Sequence, residues 1–426
     1  MRPSAIIGNR GIDHQGAYYV DILAFVMGFA QIVDINLIGR LFCSEAVAAV
    51  IAIYYVFSSK TLWDPLPRRL LMLCTLWLIS AIITDLVRQS QFDDLARGWS
   101  RIVVFYVDFA ALYCLGRTHR GALLWNVVGL GLAFIVEARW WPSAIQIVDP
   151  WKFGYSQGLT PIVALIAGSK SVTRILKGAT WMPLLAIAAV NLIFNYRSVF
   201  GIAAAAGLMC MLKEHLNTRN SVGIPFSRGR IAVLALASIF VGQGIIGVYS
   251  LSASRGWLGV EAQDKYEEQS GSNLSLLQYG RGESFASTQA IIDSPLIGHG
   301  SWAQDSGYVA ILVERIEEHG GVVQGNPYED AHIPSHSHLL GSWVESGIGG
   351  GLLWIWTIVV AMRGIVGFFR VTNIPSPLVA FSLLMFVWDV LFSPFGAEQR
   401  FSAASQICLA FWVLESQWER GVFRVR

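Results

Sequence analysis

His332, His336 and His338 crowd into the stretch His332-Ile333-Pro334-Ser335-His336-Ser337-His338-Leu339-Leu340, and Glu345 follows just before Gly347 and the run Gly349-Gly350-Gly351. The stretch lies where a long polar segment gives way to an apolar one. Imidazoles titrate near neutral pH, so at a membrane entrance they suit proton handling better than lipid anchoring. A general base must hold its pKa near the working pH and reach a hydroxyl, which His336 or His338 can do. Two other readings fit the same residues. Ser335 and Ser337 are helix N-cap types, which would make the cluster a polar cap at the membrane face. Asp330, His332, His336 and His338 offer nitrogen and oxygen ligands to a metal, although their spacing matches no zinc signature.

Two arginines stand in comparably pointed settings. Asn195-Tyr196-Arg197-Ser198 is a tight reversal between two apolar runs, which leaves a guanidinium at membrane depth. Such an Arg faces a water-filled cavity or an anion, or else snorkels to lipid headgroups. Tyr279-Gly280-Arg281-Gly282-Glu283-Ser284-Phe285 leads on to Asp293-Ser294-Pro295-Leu296-Ile297-Gly298-His299-Gly300. Gly280 and Gly282 let the backbone approach a partner closely around Arg281, at the expected start of a helix. A helix N-terminus beside a guanidinium is a phosphate-binding arrangement, and a solvated loop Arg is the plainer alternative. The adjacent Asp93 and Asp94 suit a divalent cation, but such pairs are more often solvated loop. No Gly-rich phosphate loop and no Gly-x-Ser-x-Gly elbow exists.

The elements that position these residues are apolar helices. The chain of 426 residues is 54% hydrophobic and 14% charged, whereas soluble domains carry roughly 25% charged residues. Its 16 Trp fit interfacial aromatic belts. A formal charge of +2 without basic runs excludes nucleic acid as a partner. Cys43, Cys74, Cys114, Cys210 and Cys408 all fall in apolar segments, which argues against disulfides and a Cys-bound metal. The polar N-terminus has no signal-peptide pattern. A spanning helix needs roughly 20 mostly apolar residues. By that measure about twelve spans are expected, near 18–36, 38–57, 69–87, 101–116, 121–140, 157–170, 179–195, 197–213, 230–250, 337–361, 376–393 and 402–416.

Arg68, Arg69, Arg117, Arg120, Lys170, Arg174, Lys177, Lys213 and Arg219 all fall on the side of the N-terminus, so the positive-inside rule makes both termini cytoplasmic. The expected organisation is all-α and polytopic. Residues 1–250 form nine spans, 251–335 a large helical loop on the external side, and 336–426 three further spans and a cytoplasmic tail. A loop of roughly 85 residues is generally functional or disordered; this one carries helix-like stretches at Glu283–Ile292 and Tyr308–Glu318 and reads as a folded cap. No internal repeat is visible, which weakens an inverted-repeat transporter.

In this order, and on this side, the three features resemble the O-antigen ligase and polymerase superfamily of bacterial envelope glycan enzymes. The family pattern runs His, then Asn, Ser or Gln, nine residues, Gly, two residues, Gly, then Gly, Thr or Tyr. Here it reads His336-Ser337, residues 338–346, Gly347-Ile348-Gly349-Gly350-Gly351, with Glu345 where relatives often carry an acid. The Arg281 segment is similar to the family's Arg followed by Pro-Leu-Ile-Gly-x-Gly, and Arg197 to an Arg heading a mid-chain span. The resemblance covers roughly 195–365, and the histidines at 332 and 338 depart from a single-His pattern.

It implies a metal-independent, cofactor-free glycosyltransferase of the bacterial inner membrane with a periplasmic active site. The donor would be a glycan on undecaprenyl diphosphate, and the acceptor lipid A–core or, in a polymerase, a second lipid-linked glycan. Arg197 and Arg281 would stabilise the diphosphate as it leaves, while His336 orients or deprotonates the acceptor hydroxyl. Tyr196, His338 and Glu345 would line the substrate site. A transporter without chemistry, and a metal-dependent glycosyltransferase built on Asp93 and Asp94, are the competing expectations.

Overall fold

The computed structural model describes residues 14–37, 39–219, 244, 247–257, 259, 260, 263, 282–318, 326–329 and 331–419. Five of the described helices are long and apolar enough to cross a membrane: Pro65–Arg88, Phe92–Thr118, Gly121–Trp140, Arg197–Leu216 and Ile348–Phe368. Cys43–Ser58, Met182–Ile193 and Ser376–Phe392 are shorter apolar helices. The protein is a helical membrane protein. Spans expected near 230–250, and the loop up to residue 281, lie largely outside the described residues.

Lipid tails are as apolar as a core side chain, so helices in a membrane associate through close packing of small residues and through polar contacts. Ala81, Ala203, Ala206, Ala361, Ala404 and Ala410 are all buried, and between them sit the fully buried rings of Trp77, Phe105, Phe109, Trp354 and Phe411. Polar contacts fix the directions. Ala397–Glu419 runs parallel to Phe92–Thr118, since Arg101 donates to the Phe395 carbonyl (3.1 Å) and Tyr113 to Glu415 (2.7 Å). Ser376–Phe392 runs antiparallel to Arg197–Arg219, because Lys213 donates to Ser376 (2.9 Å) while Asp389 lies within electrostatic reach of Tyr196. The bundle thus has two ends. One gathers Asp85 to Phe92, Tyr196, Arg197, His338 to Ile348 and Phe392 to Ala397; the other gathers Asp64, Arg117 and Glu415.

Three expected boundaries are corrected. The segments at 18–36 and 38–57 are helices His14–Phe29 and Cys43–Ser58, with an antiparallel hairpin of Asp34–Leu37 on Gly39–Phe42 between them. Arg40 closes that hairpin onto Asp34 at 2.6 Å, a cross-strand ion pair that no helical pattern announces. The fourth helix starts at Phe92 rather than 101, so Asp93 and Asp94 occupy its first turn and not a loop. There they complement the helix dipole, and Asp94 lies 3.7 Å from Arg97 one turn on. The segment expected at 337–361 is two helices, His338–Ser346 and Ile348–Phe368, broken at Gly347.

That break is where Pro295–Gly300 docks. Gly347 has φ +63° and its missing side chain would stand 2.1 Å from the Leu296 carbonyl; Gly298, at φ +83°, would meet the Gly347 amide at 2.5 Å. Two backbones approach so closely that neither position has room for a Cβ. His299 and Gly300 donate their amides to the carbonyls of Val344 (2.8 Å) and Glu345 (3.0 Å), while Ile348 donates to Leu296 (3.3 Å). These bonds satisfy carbonyls that the helix break would otherwise orphan. Around the contact, Ala286, Ala290, Tyr308, Ile333 and Val344 form a small second core beneath helices Glu283–Asp293 and Ser306–Glu318.

Gly347→Ala and Gly298→Ala should each cost more than about 2 kcal/mol, through positive-φ strain plus steric conflict. Gly396→Ala, where nothing lies within 4 Å of the added carbon, should be neutral. Thermal unfolding of the three detergent-solubilised variants checks this, and equal melting temperatures would refute the docking contact.

Candidate functional site

Glu283–Asp293 presents Ser287 to the Pro334 carbonyl at 2.7 Å, two residues before His336. The loop from Ala331 to Ser337 is thereby pinned between this helix and the membrane portion. His336 is exposed at its rim, whereas Ser337 is buried. Ser337 is the N-cap of His338–Ser346: its hydroxyl accepts from the Leu340 amide at 3.1 Å and donates to the Val390 carbonyl at 2.9 Å. The serine after His336 therefore fastens the histidine helix to the end of Ser376–Phe392.

His338 points the other way, into a closed aromatic box. Its ring lies 4.9 Å from that of Trp354 and 5.0 Å from that of Phe395, and its side chain is fully buried. Nδ1 donates to the Ser393 carbonyl at 2.6 Å, which leaves Nε2 as a buried acceptor without a hydrogen-bond partner among the described residues. The box closes the ring off from solvent in this conformation.

Arg101 is the second buried centre. It forms an ion pair with Glu345, donates to the Phe395 carbonyl at 3.1 Å, and stacks 4.8 Å over the Trp302 ring. Glu345 is thereby turned towards Arg101 at the end of the histidine helix. Asp85, 1% exposed, is the third. It accepts from the Ser301 amide (2.7 Å), the Ser301 hydroxyl (2.9 Å), Ser90 (2.7 Å) and Trp99 (2.8 Å). Arg88 on the same helix end donates to the Gly298 carbonyl at 3.0 Å, and Thr84 bonds the Ile297 carbonyl. Asp85, Arg88 and Thr84 thus hold the Pro295–Ser301 segment from below, as the Gly347 break holds it from the side.

Arg197 opens its helix at the same end of the bundle. Its Nε donates to Asn195 at 3.2 Å and its guanidinium lies 4.3 Å over the Tyr249 ring. Asn195 reaches this geometry with φ +55°, the left-handed turn that makes the reversal tight. Tyr196 is buried and accepts from Gln157 at 2.8 Å. From His338 the polar contacts run on through Ser393, whose carbonyl receives the ring and whose hydroxyl donates to Asp389 at 2.9 Å.

Of the expected site residues, Arg197, Tyr196, His336, His338 and Glu345 thus lie at one end of the bundle. Arg281 lies outside the described residues, as does Asp330; the described chain resumes at Gly282, on the helix that holds Pro334. His332 is exposed and bonds the Trp302 carbonyl at 3.2 Å. Among the described residues no three His, Cys, Asp or Glu side chains are grouped to hold a metal ion. Asp85 and Arg101 escape a motif search, yet an acid inside the apolar segment 69–87 is itself a signal of an interior polar site. No family model matches the chain, and no curated protein matches it in sequence.

One outcome follows. Arg101→Ala strands Glu345 without its cation and should cost about 3–5 kcal/mol. The pair Arg101→Met with Glu345→Leu should recover most of that loss, as denaturation of single and double variants would reveal.

Proposed function

We propose that the protein is a glycosyltransferase of the bacterial inner membrane that moves a glycan from undecaprenyl diphosphate to an acceptor hydroxyl at the periplasmic face. The observation that carries this reading is the gathering of Arg197 with the His336-bearing loop at one end of the bundle, beside the Pro295–Gly300 segment locked into the Gly347 break. In this reading that end faces the periplasm, with about twelve spans, both termini cytoplasmic and residues 251–335 as the periplasmic loop; the excess of Lys and Arg on the opposite side supports it.

The chemistry follows from the donor. A polyprenyl diphosphate already carries an activated leaving group, so neither a nucleotide site nor a metal is required. As the anomeric carbon–oxygen bond breaks, negative charge grows on the diphosphate, and preorganised guanidinium groups stabilise it where water is scarce. Arg197 and Arg281 have that role in this reading. His336, exposed at the rim, accepts the proton of the acceptor hydroxyl as its oxygen attacks the anomeric carbon. His338 and Glu345, expected as substrate contacts, here act through position. Buried against Ser393 and Arg101, they fix the helix whose cap presents His336. Lipid A–core is the favoured acceptor, as in ligases; a second lipid-linked glycan would make the protein a polymerase.

Purified protein given a defined lipid-linked donor and either acceptor tests this. Transfer should persist in EDTA. His336→Ala, Arg197→Ala and Arg281→Ala should each slow it by about 10²-fold or more. Arg281→Lys should remain impaired because a point ammonium lacks the bidentate fork. Chelator-abolished turnover would favour metal-dependent transfer through Asp93 and Asp94, and full activity in all variants would sink the assigned roles.

A further inference from the structure

At the end of the bundle opposite the histidines, a cavity of about 350 Å³ opens between the first turn of Pro65–Arg88 and the last turns of Phe92–Thr118 and Ala397–Glu419. Asp64, Leu66, Arg69, Arg117, Glu415 and Trp418 line it. Its charges are unevenly paired. Glu415 is engaged by Tyr113 (2.7 Å), Arg120 (2.6 Å) and Arg117 (3.4 Å). Asp64 is held more loosely, by Tyr113 at 3.5 Å and Arg117 at 3.9 Å, and its side chain is 44% exposed. Arg69 is exposed. Two cations and two acids line the cavity, so it favours an occupant of zero net charge that carries both signs.

The helix surface beyond the cavity narrows the class further. Arg69, Met72, Leu76, Ile79, Ile83 and Leu86 recur at helical spacing on one face of Pro65–Arg88, and the apolar five are exposed. From Met72 to Leu86 the stripe rises about 21 Å at 1.5 Å per residue, longer than half of a roughly 30 Å hydrocarbon core. The mouth of the cavity is therefore continuous with a bare apolar track, and Trp63, 64% exposed, stands beside it at interfacial depth. A soluble metabolite would use the charges and ignore the track; a phospholipid uses both. Lys60, Arg68, Arg69, Arg117 and Arg120 on this end place it in the cytoplasmic leaflet by the positive-inside rule.

We propose that this cavity binds the phosphoethanolamine headgroup of a cytoplasmic-leaflet phospholipid, with its phosphate on Arg69 and Arg117, its primary ammonium on Asp64, and its acyl chains along the stripe from Met72 towards Ile83. The phosphate receives the guanidinium N–H groups, and the ammonium donates to Asp64. A choline headgroup has no N–H to donate, and a glycerol headgroup leaves Asp64 facing a phosphate without a cation between them.

The test is native mass spectrometry of the full-length protein with phosphatidylethanolamine, phosphatidylglycerol and phosphatidylcholine of matched chains. Phosphatidylethanolamine should be retained about tenfold more strongly than phosphatidylcholine, the loss of one charge-assisted hydrogen bond. Asp64→Asn should remove that preference, and Arg69→Ala should weaken retention of all three lipids. Arg68→Ala, exposed and outside the lining, should change nothing, and the melting temperature of each variant reports whether it folds. Equal retention of the three lipids, preference for phosphatidylglycerol or phosphatidylcholine, or indifference of a folded Arg69→Ala would each overturn the proposal.

Discussion

The contact between Gly298 and Gly347 constrains everything at the histidine end of the molecule. A single spanning helix through residues 337–361 would carry His336 and His338 away on a continuous rod, with no purchase for the Pro295–Gly300 segment. The break at Gly347 instead exposes carbonyls that only another backbone at close range can satisfy, and the Pro295–Gly300 segment provides it. Asp85 then holds the end of that segment through two hydrogen bonds from Ser301, while Ser90 and Trp99 occupy its remaining acceptor positions. In a membrane a polar group without a partner is costly, so a network as fully satisfied as that of Asp85 permits one arrangement and penalises the rest.

The same logic governs the buried ion pair beneath the histidine helix. Arg101 and Glu345 are nearly removed from solvent, and a buried pair contributes little net stability compared with apolar residues of the same size. Its retention is more readily understood as orientation. Arg101 ties together the helix carrying Glu345, the Phe395 carbonyl just before the last helix, and the Trp302 ring. Three parts of the chain, each more than two hundred residues from Arg101 in sequence, meet on its guanidinium.

Much of the helical framework was legible in hydropathy, because a long apolar run has few alternatives to a spanning helix. The hairpin at Asp34–Phe42 was not: it depends on Arg40 meeting Asp34 across strands, a pairing that periodicity does not encode. The early start at Phe92 was missed because its first turns are polar, although two acids ahead of an apolar run mark a helix start. Around the site, the serine after His336 was read as one of two capping candidates, and it is the cap. The expectation that His338 lines a substrate site did not foresee the box of Trp354 and Phe395, since burial on a short helix depends on partners far along the chain. Asp85 and Arg101 belong to no motif and were not read as site residues; the one signal available was a charge set within apolar or amphipathic surroundings.

The central claim is that two guanidinium groups and one imidazole surround the head of a carrier lipid. An experimental structure with a non-transferable undecaprenyl-diphosphate glycan bound tests it most directly. The diphosphate should lie within hydrogen-bonding reach, about 3 Å, of both Arg197 and Arg281, with His336 facing the anomeric carbon from the opposite side. A diphosphate seated at the other end of the bundle, or an Arg281 remote from both Arg197 and His336, would contradict it.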